Sequence, residues 1–377
     1  MTTMTDRARN RLLLVLFIGV LMAALDIAVT GPALPAIQAQ FGMDVAQASW
    51  IFGIYIVANL VSSPLLAKAS DRFGRRSSFL ASVVLFGIGS IVVAVSGSAS
   101  MLFVGRAIQG FGAGGIFPVA SAVIGDVFPV EQRGRALGLI GAVFGIAFLI
   151  GPILGGVLLL FGWPWLFWVN IPITLLIIVL GMRLLPVGGG NQQLSFDWWG
   201  ASVLSIMLVC AAIVLQEIGT MLAQPQWIPT PLAVGAGIGL LVSIVMFVPV
   251  ERRASDPIIQ LDLFARRQIL LILAFAFGAG IAEAVTLYLP SLLVSAHGMS
   301  ESTASFQLIP LVFAMAVASP LSGRMLDTRG AKPVVMSGVV LMSIGLLVLA
   351  WWPTQLTMYY LFSVLFGLGI AVLLGAA

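Results

Sequence analysis

The sequence predicts an all-α polytopic membrane protein with about twelve spans, and three observations predict it. Hydrophobic residues make up 60% of the 377 and charged residues 8%, where a soluble chain carries about 25% charged. So few charges cannot cover so much apolar surface, which excludes a soluble enzyme, a nucleic-acid-binding domain and a disordered chain. The apolar runs last about 20 residues, the length of a helix through hydrocarbon, and are not the ~10-residue alternating strands of a barrel. The basic residues fall almost entirely into every second loop.

The first span is read at 12–37. Arg7, Arg9 and Arg11 precede it as in a signal peptide, but the run outlasts a signal core and contains Asp26, so it is a retained span. Further spans are read at 48–67, 78–96, 101–125, 136–161, 164–185, 198–219, 231–250, 269–294, 303–323, 333–352 and 356–377. With the N-terminus cytoplasmic, the inner segments hold Arg7, Arg9, Arg11, Lys68, Arg72, Arg75, Arg76, Arg133, Arg135, Arg183, Arg252, Arg253, Arg266, Arg267, Arg324, Arg329 and Lys332, which is 17 of the 18 Lys and Arg residues. The outer loops hold none, and Arg106 lies within span four. This asymmetry predicts a multi-pass protein of the cytoplasmic membrane with its N-terminus inside. The net charge of +4 is therefore topological and implies no nucleic-acid partner. The single cysteine, Cys210, sits inside an apolar run and cannot form an internal disulfide.

Shifting the chain by 256 residues aligns two stretches without a gap. Gly42-Met43 falls on Gly298-Met299, Ala48-Ser49 on Ala304-Ser305, and Ser63-Pro64 on Ser319-Pro320. Asp71 falls on Asp327 and Gly74 on Gly330. The repeats run in the same orientation, a known transporter architecture. The repeated loops are eight spans apart, so a six-span unit leaves two extra spans between the halves. This predicts a six-helix bundle at 1–186, two inserted helices at 187–262, and four of six helices of a second bundle at 263–377. The expectation is that about two spans are absent after Ala377; the alternative is a twelve-span protein with an unusual second half.

Several motifs lie on this frame. The loop after span two reads Ala67-Lys-Ala-Ser-Asp71-Arg72-Phe-Gly74-Arg75-Arg76. Topology needs only the bases; Asp71 can also pair with a base of a neighbouring helix, Gly74 permits the turn, and Asp126 can pair with Arg72 or Arg75. Span four reads Gly105-Arg106-Ala-Ile-Gln109-Gly110-Phe-Gly112-Ala-Gly114, and span five carries Gly141, Gly145, Gly151-Pro152 and Gly155-Gly156. Small residues at four-residue spacing let helices approach closely, and Pro152 removes a backbone donor from span five. Gly110-x-Gly112-x-x-Gly115 imitates a dinucleotide fingerprint, but it lies in a continuous apolar run with no preceding strand.

The loop resembles the signature of the major facilitator superfamily, with Ala67 and Ala69 where the family has Gly and Leu. The glycines of span five resemble the signature of its antiporter branch. With Leu25-Asp26 through Pro35 in span one, Trp163 through Pro172 opening span six, and the two inserted spans, the chain is similar over nearly its whole length to the fourteen-span drug:proton antiporters. The resemblance implies a major facilitator fold of parallel six-helix repeats that exports lipophilic compounds against inward proton flow. It assigns gating to Asp71, Arg72, Gly74, Arg75, Arg76 and Asp126, and the antiporter motif to Gly145, Gly151, Pro152, Gly155 and Gly156.

Ionisable residues inside spans are costly and usually functional. Asp26 and Glu283 each lie about 22 Å along their helices from the inner end at 1.5 Å per residue, and Arg106 lies about 8 Å from the outer edge, so all three can share one layer. Burial favours a neutral carboxyl and a nearby cation favours the carboxylate, so Asp26, Arg106 and Glu283 are the proton-coupling candidates. Trp50, Tyr55, Asn59, Gln109 and Phe148 are candidates for the wall of a substrate cavity. Glu217 reads as interfacial and His297 as solvated, with no metal-ligand cluster. One His and one Cys, far apart, argue against an intramembrane enzyme, and no nucleotide-binding domain or other cofactor is implied. The expected partners are the lipid bilayer, protons and a small lipophilic or cationic substrate, with a monomer as the working unit. The alternatives are an exporter of one narrow cargo (an antibiotic, siderophore or lipid precursor) and a non-transporting membrane sensor.

Overall fold

In hydrocarbon every backbone polar group must be satisfied within the protein, which leaves helices or closed barrels. The computed structural model describes residues 5–187, 197–223, 230–254, 257–259, 261–329, 331–352 and 354–376, and the regular elements among them are all helical. In order they are α1 (Asp6–Phe41), α2 (Val45–Phe73), α3 (Arg75–Ala94), α4 (Ala99–Val127), α5 (Val130–Leu159), α6 (Trp165–Trp168) and α7 (Asn170–Leu184). There follow α8 (Trp198–Ala223), α9 (Pro231–Arg253), a 3-10 turn (Leu261–Ala265), α10 (Arg267–His297), α11 (Glu301–Phe306), α12 (Ile309–Arg329), α13 (Ala331–Trp351) and α14 (Leu356–Ala376). Among the described residues, ten helices are long and apolar enough to cross a membrane, and two shorter apolar stretches, Ile150–Leu159 and Ser302–Ala318, occupy the fifth and tenth spans. The all-helical polytopic architecture read from the sequence is the one observed.

Two spans differ from the continuous runs the sequence suggested. Span six is divided into α6 and α7, and span ten into α11 and α12. In each case the first helix ends four residues before a proline, Trp168 before Pro172 and Phe306 before Pro310. A proline ring clashes with the carbonyl four residues back. Helices α2, α4 and α5 nonetheless run on through Pro64, Pro118 and Pro152. At the α11–α12 break, side chains of α14 supply hydrogen bonds: Tyr359 donates to the Gln307 carbonyl at 3.2 Å and Tyr360 to Gln307 Oε1 at 2.8 Å. At the α6–α7 break, Asn170 itself donates to Ser90 of α3 at 3.2 Å.

The sequence repeat has a counterpart in the helix caps. Gly42 ends α1 and Gly298 ends α10, both left-handed, at φ +62° and +63°. Two residues on, Asp44 caps α2 by accepting from Gln47 N–H, and Ser300 caps α11 by accepting from Thr303 N–H. Each cap satisfies an otherwise orphaned helix donor, worth about 1 kcal/mol.

The chain divides into two compact units. The first comprises Met1–Ala23, Gln38–Val143 and Phe167–Ala265, and the second Ala24–Ile37, Phe144–Leu166 and Arg266–Ala377. In the first, α4 packs between α2 and α3 at backbone contact. A methyl at Gly110 would meet the Tyr55 carbonyl at 2.3 Å, and one at Gly112 the Phe86 nitrogen at 2.4 Å. The pair α8–α9 joins α2 through Gln216, which donates to Ser49 at 2.9 Å and to the Ala46 carbonyl at 3.1 Å. In the second unit, α14 packs on α12 and α13 around buried Leu311, Met315, Tyr359, Phe362 and Phe366.

Candidate functional site

Helix α4 carries a buried guanidinium. Arg106 has 0% exposure. It donates from Nε to the Ile51 carbonyl at 3.0 Å and from Nη1 to Gln109 Oε1 at 2.7 Å. Its Cζ stands 4.2 Å from the centre of the Tyr55 ring and 5.8 Å from that of Phe167. Gln109 passes the chain on, donating to Ser90 Oγ at 2.8 Å, where Asn170 also donates. Four helices thus contribute to one polar network. Arg106 and Gln109 sit one turn apart on α4, so one face of the helix presents both. A desolvated cation over an aromatic face is stabilised by about 2 kcal/mol, and charge-assisted hydrogen bonds by about 1.5–3 kcal/mol each. These contacts offset the removal of a permanent charge from water.

Ser90, Phe167, Asn170 and the Ile51 carbonyl were not singled out as partners from the sequence. Asn170 had a signal: it is the lone amide closing an aromatic run at the start of span six. A single serine in an apolar helix such as α3 has none.

Asp26 lies on the part of α1 that belongs to the second unit, with 1% exposure. Its carbonyl accepts from Thr30 Oγ1 at 2.6 Å. Asp26 and Arg106 therefore sit in different compact units. Glu283 lies on α10; its side chain is outside the described residues.

The turn between α2 and α3 forms a second cluster. Gly74 has φ +93°, a conformation a side chain would strain, and it ends one helix and begins the next. This places Arg75 at the head of α3. Its Nε donates to Asp126 Oδ2 at 2.9 Å and its Nη1 to Ser70 Oγ at 2.6 Å. Nη1 also pairs with Asp71 Oδ1 at 2.5 Å. Arg75 thus ties the ends of α2, α3 and α4 together. Arg72 stacks over Phe73 at 5.5 Å, and its Nε has no hydrogen-bond partner among the described residues. Arg76 is half-buried at the same turn. In the second repeat, the side chain of Asp327 and all of Gly330 lie outside the described residues.

The glycines of α5 mark a third cluster. A methyl at Gly151 would meet Ala28 at 2.5 Å, one at Gly155 would meet Pro32 at 3.3 Å, and one at Gly156 would meet Phe306 at 2.9 Å. Ser305 donates to the Pro152 carbonyl at 2.5 Å and Ser302 to the Gly156 carbonyl at 2.8 Å. Gly145 and Phe148 lie on the same helix, and their surroundings are outside the described residues.

Among the cavity-wall candidates, Tyr55 and Gln109 are absorbed into the Arg106 network. Trp50 is half-buried and stacks over Gly53, and Asn59 is half-buried with its carbonyl against Gly114. Glu217 accepts from Thr230 N–H at 2.7 Å and so holds the cap residue of α9. No cluster of three or more His, Cys, Asp or Glu that could hold a metal is present among the described residues.

The sequence matches the Major Facilitator Superfamily over residues 16–196 and 199–377. The chain belongs to this superfamily. It is 30% identical over 352 residues to Multidrug resistance protein 3 of Bacillus subtilis, covering 93% of this chain and 68% of that one. It is 29% identical to the riboflavin transporter RibZ of Clostridioides difficile, covering 95% and 77%. The crystal structure of the human organic anion transporter MFSD10 superposes with a TM-score of 0.65 at 18% identity, covering 99% of this chain and 85% of that one. At that identity the likeness is one of fold. Across these curated relatives the chain spans from 42% to 77% of their length. As a major facilitator protein the chain is a multi-pass membrane transporter and not an enzyme. The three clusters above thus belong to a transporter's helices.

Proposed function

We propose that this transporter is a proton-coupled antiporter that exports amphipathic or lipophilic compounds across the cytoplasmic membrane by alternating access. One observation carries the reading: a permanent cation, Arg106, is buried on a polar network inside a span. Neither packing nor topology requires a charge there. In this reading Asp26 binds a proton when the site opens outward and releases it inward. Arg106 and Glu283 are the other two residues assigned to the coupling step. A cationic substrate competes with the proton for the carboxylate, which couples the two fluxes.

The Arg75–Asp71–Asp126 cluster serves as the inner latch, with the N-terminus cytoplasmic. The glycines of α5 serve the antiporter motif, and Trp50, Asn59 and Phe148 are the remaining candidates for the substrate path, Tyr55 and Gln109 being held in the Arg106 network. The bundles at 1–186 and 263–377 rock about that path, with 187–262 as an inserted pair and the monomer as the unit. Relatives named as multidrug proteins support this reading. A narrower cargo is the second reading, supported by the relative named for riboflavin.

The test is ethidium efflux from cells expressing the gene, with and without an uncoupler, beside Asp26→Asn. Efflux that stops with the uncoupler and in the variant supports the proposal. Unchanged efflux by Asp26→Asn at equal expression removes Asp26 from the coupling step. Absence of efflux by well-expressed wild type favours the narrow cargo, and riboflavin is the first alternative to assay.

A further inference from the structure

The inserted pair α8–α9 carries two carboxylates that none of the clusters above uses. Asp197 precedes α8, and its Oδ1 accepts from Gly200 N–H at 2.9 Å. Glu251 lies in the last turns of α9 with 2% exposure, and its Oε2 accepts from Ile259 N–H at 3.4 Å. The other oxygen of each, Asp197 Oδ2 and Glu251 Oε1, is buried and has no hydrogen-bond donor among the described residues. Both aim at the same small space over Gly200. A methyl built there would lie 2.2 Å from Asp197 Oδ2 and 3.0 Å from Glu251 Oε1.

Backbone N–H groups of Ile259 and Ile258 favour an ionised Glu251, but they leave Oε1 and Asp197 Oδ2 without a donor among the described residues. Two carboxylates facing one another across such a gap repel when both are ionised, and pairs of this kind share a proton. Burial and the neighbouring Asp197 favour a protonated Glu251, and Lys68 of α2 opposes them only weakly. Arg252, Arg253 and Asp262 are exposed.

We infer that Asp197 and Glu251 together bind one proton, held between Asp197 Oδ2 and Glu251 Oε1, at a site separate from Asp26. No bond beyond that O–H forms or breaks. The proton closes a clasp in which Glu251 also holds the 257–259 segment, whose isoleucines pack on Val203, Leu204 and Phe247.

The test is infrared difference spectroscopy of the purified protein in lipid nanodiscs at neutral pH, comparing wild type with Asp197→Asn and Glu251→Gln. Both variants keep an oxygen for the structural hydrogen bonds to Gly200 and Ile259. A shared proton predicts that one carboxylic-acid C=O band of the wild type disappears in both variants alike, because the surviving carboxyl ionises once its partner is neutral. A band lost in only one variant assigns the proton to a single acid and overturns the shared site. A band unchanged in both overturns it outright. A band present in choline buffer and absent in sodium buffer means a metal cation occupies the space, which also overturns it. Should Glu251→Gln not fold, Glu251→Asp draws the oxygens apart and predicts the same loss.

Discussion

Helices α4 and α14 occupy equivalent places in the two repeats and use the same packing device. A methyl at Gly110 would meet the Tyr55 carbonyl at 2.3 Å, and one at Gly367 the Leu311 carbonyl at 2.5 Å. A methyl at Gly112 would meet the Ser82 carbonyl and Phe86 nitrogen at 2.6 and 2.4 Å, and one at Gly369 the Gly338 carbonyl and Met342 nitrogen, both at 2.7 Å. The partner helices are related by the 256-residue shift, and α4 to α14 by one residue more. On this shared scaffold the chemistry diverges. Arg106, Gln109 and Ser90 correspond to Ser363, Phe366 and Leu346. The Ile51 carbonyl accepts from Arg106, and its counterpart, the Gln307 carbonyl, accepts from Tyr359. The second bundle shows that an apolar core fills this place adequately. The charge in the first bundle is therefore not a packing requirement.

The largest expected effect tests the shared scaffold. Gly112→Leu and Gly369→Leu each force side-chain atoms into a neighbouring backbone and lose roughly 3 kcal/mol of stability. Thermal unfolding in detergent checks this, and a variant that melts like wild type breaks the equivalence. The next effect sharpens the divergence. Arg106→Leu lowers efflux by about a hundredfold, whereas Ser363→Ala at the counterpart leaves both efflux and stability within about 0.5 kcal/mol of wild type. Equal losses in the two would mean that the network is structural. Arg75→Gln comes third, lowering efflux by about tenfold, or ~1.4 kcal/mol. A double cycle with Asp126→Asn reads their coupling, with roughly 1 kcal/mol expected. Ser305→Ala is the smallest, removing one hydrogen bond to the Pro152 carbonyl at a cost of about 1 kcal/mol, read as a small drop in unfolding temperature.

The spans were legible because about 20 apolar residues between charged loops admit few readings. The turn at Gly74 was legible because acid, bases and glycine crowd into ten residues. Composition could show that Asp126 needed a base but not which one, since Arg72 and Arg75 lie a turn apart and only helix geometry chooses. The breaks at Val169 and Gln307 were hidden because prolines elsewhere leave helices intact; tertiary hydrogen bonds, from Tyr359 to Gln307 and from Asn170 to Ser90, mark the two exceptions. Ser90 was hidden for a similar reason, since one hydroxyl in an apolar helix usually bonds its own backbone. Glu251 reads in sequence as a charge beside Arg252 and Arg253, and its hydrogen bond from Ile259 N–H, eight residues on, shows only in the folded chain.

The central claim is that a buried acid and base in the spans couple cargo to protons. Its most direct test is ethidium accumulation by the purified protein in liposomes whose lumen is made acidic. Accumulation by the wild type that collapses with a protonophore, and is absent in Asp26→Asn and Arg106→Leu, is the predicted result. Accumulation that persists without the gradient, or that is unchanged in both variants, would contradict it.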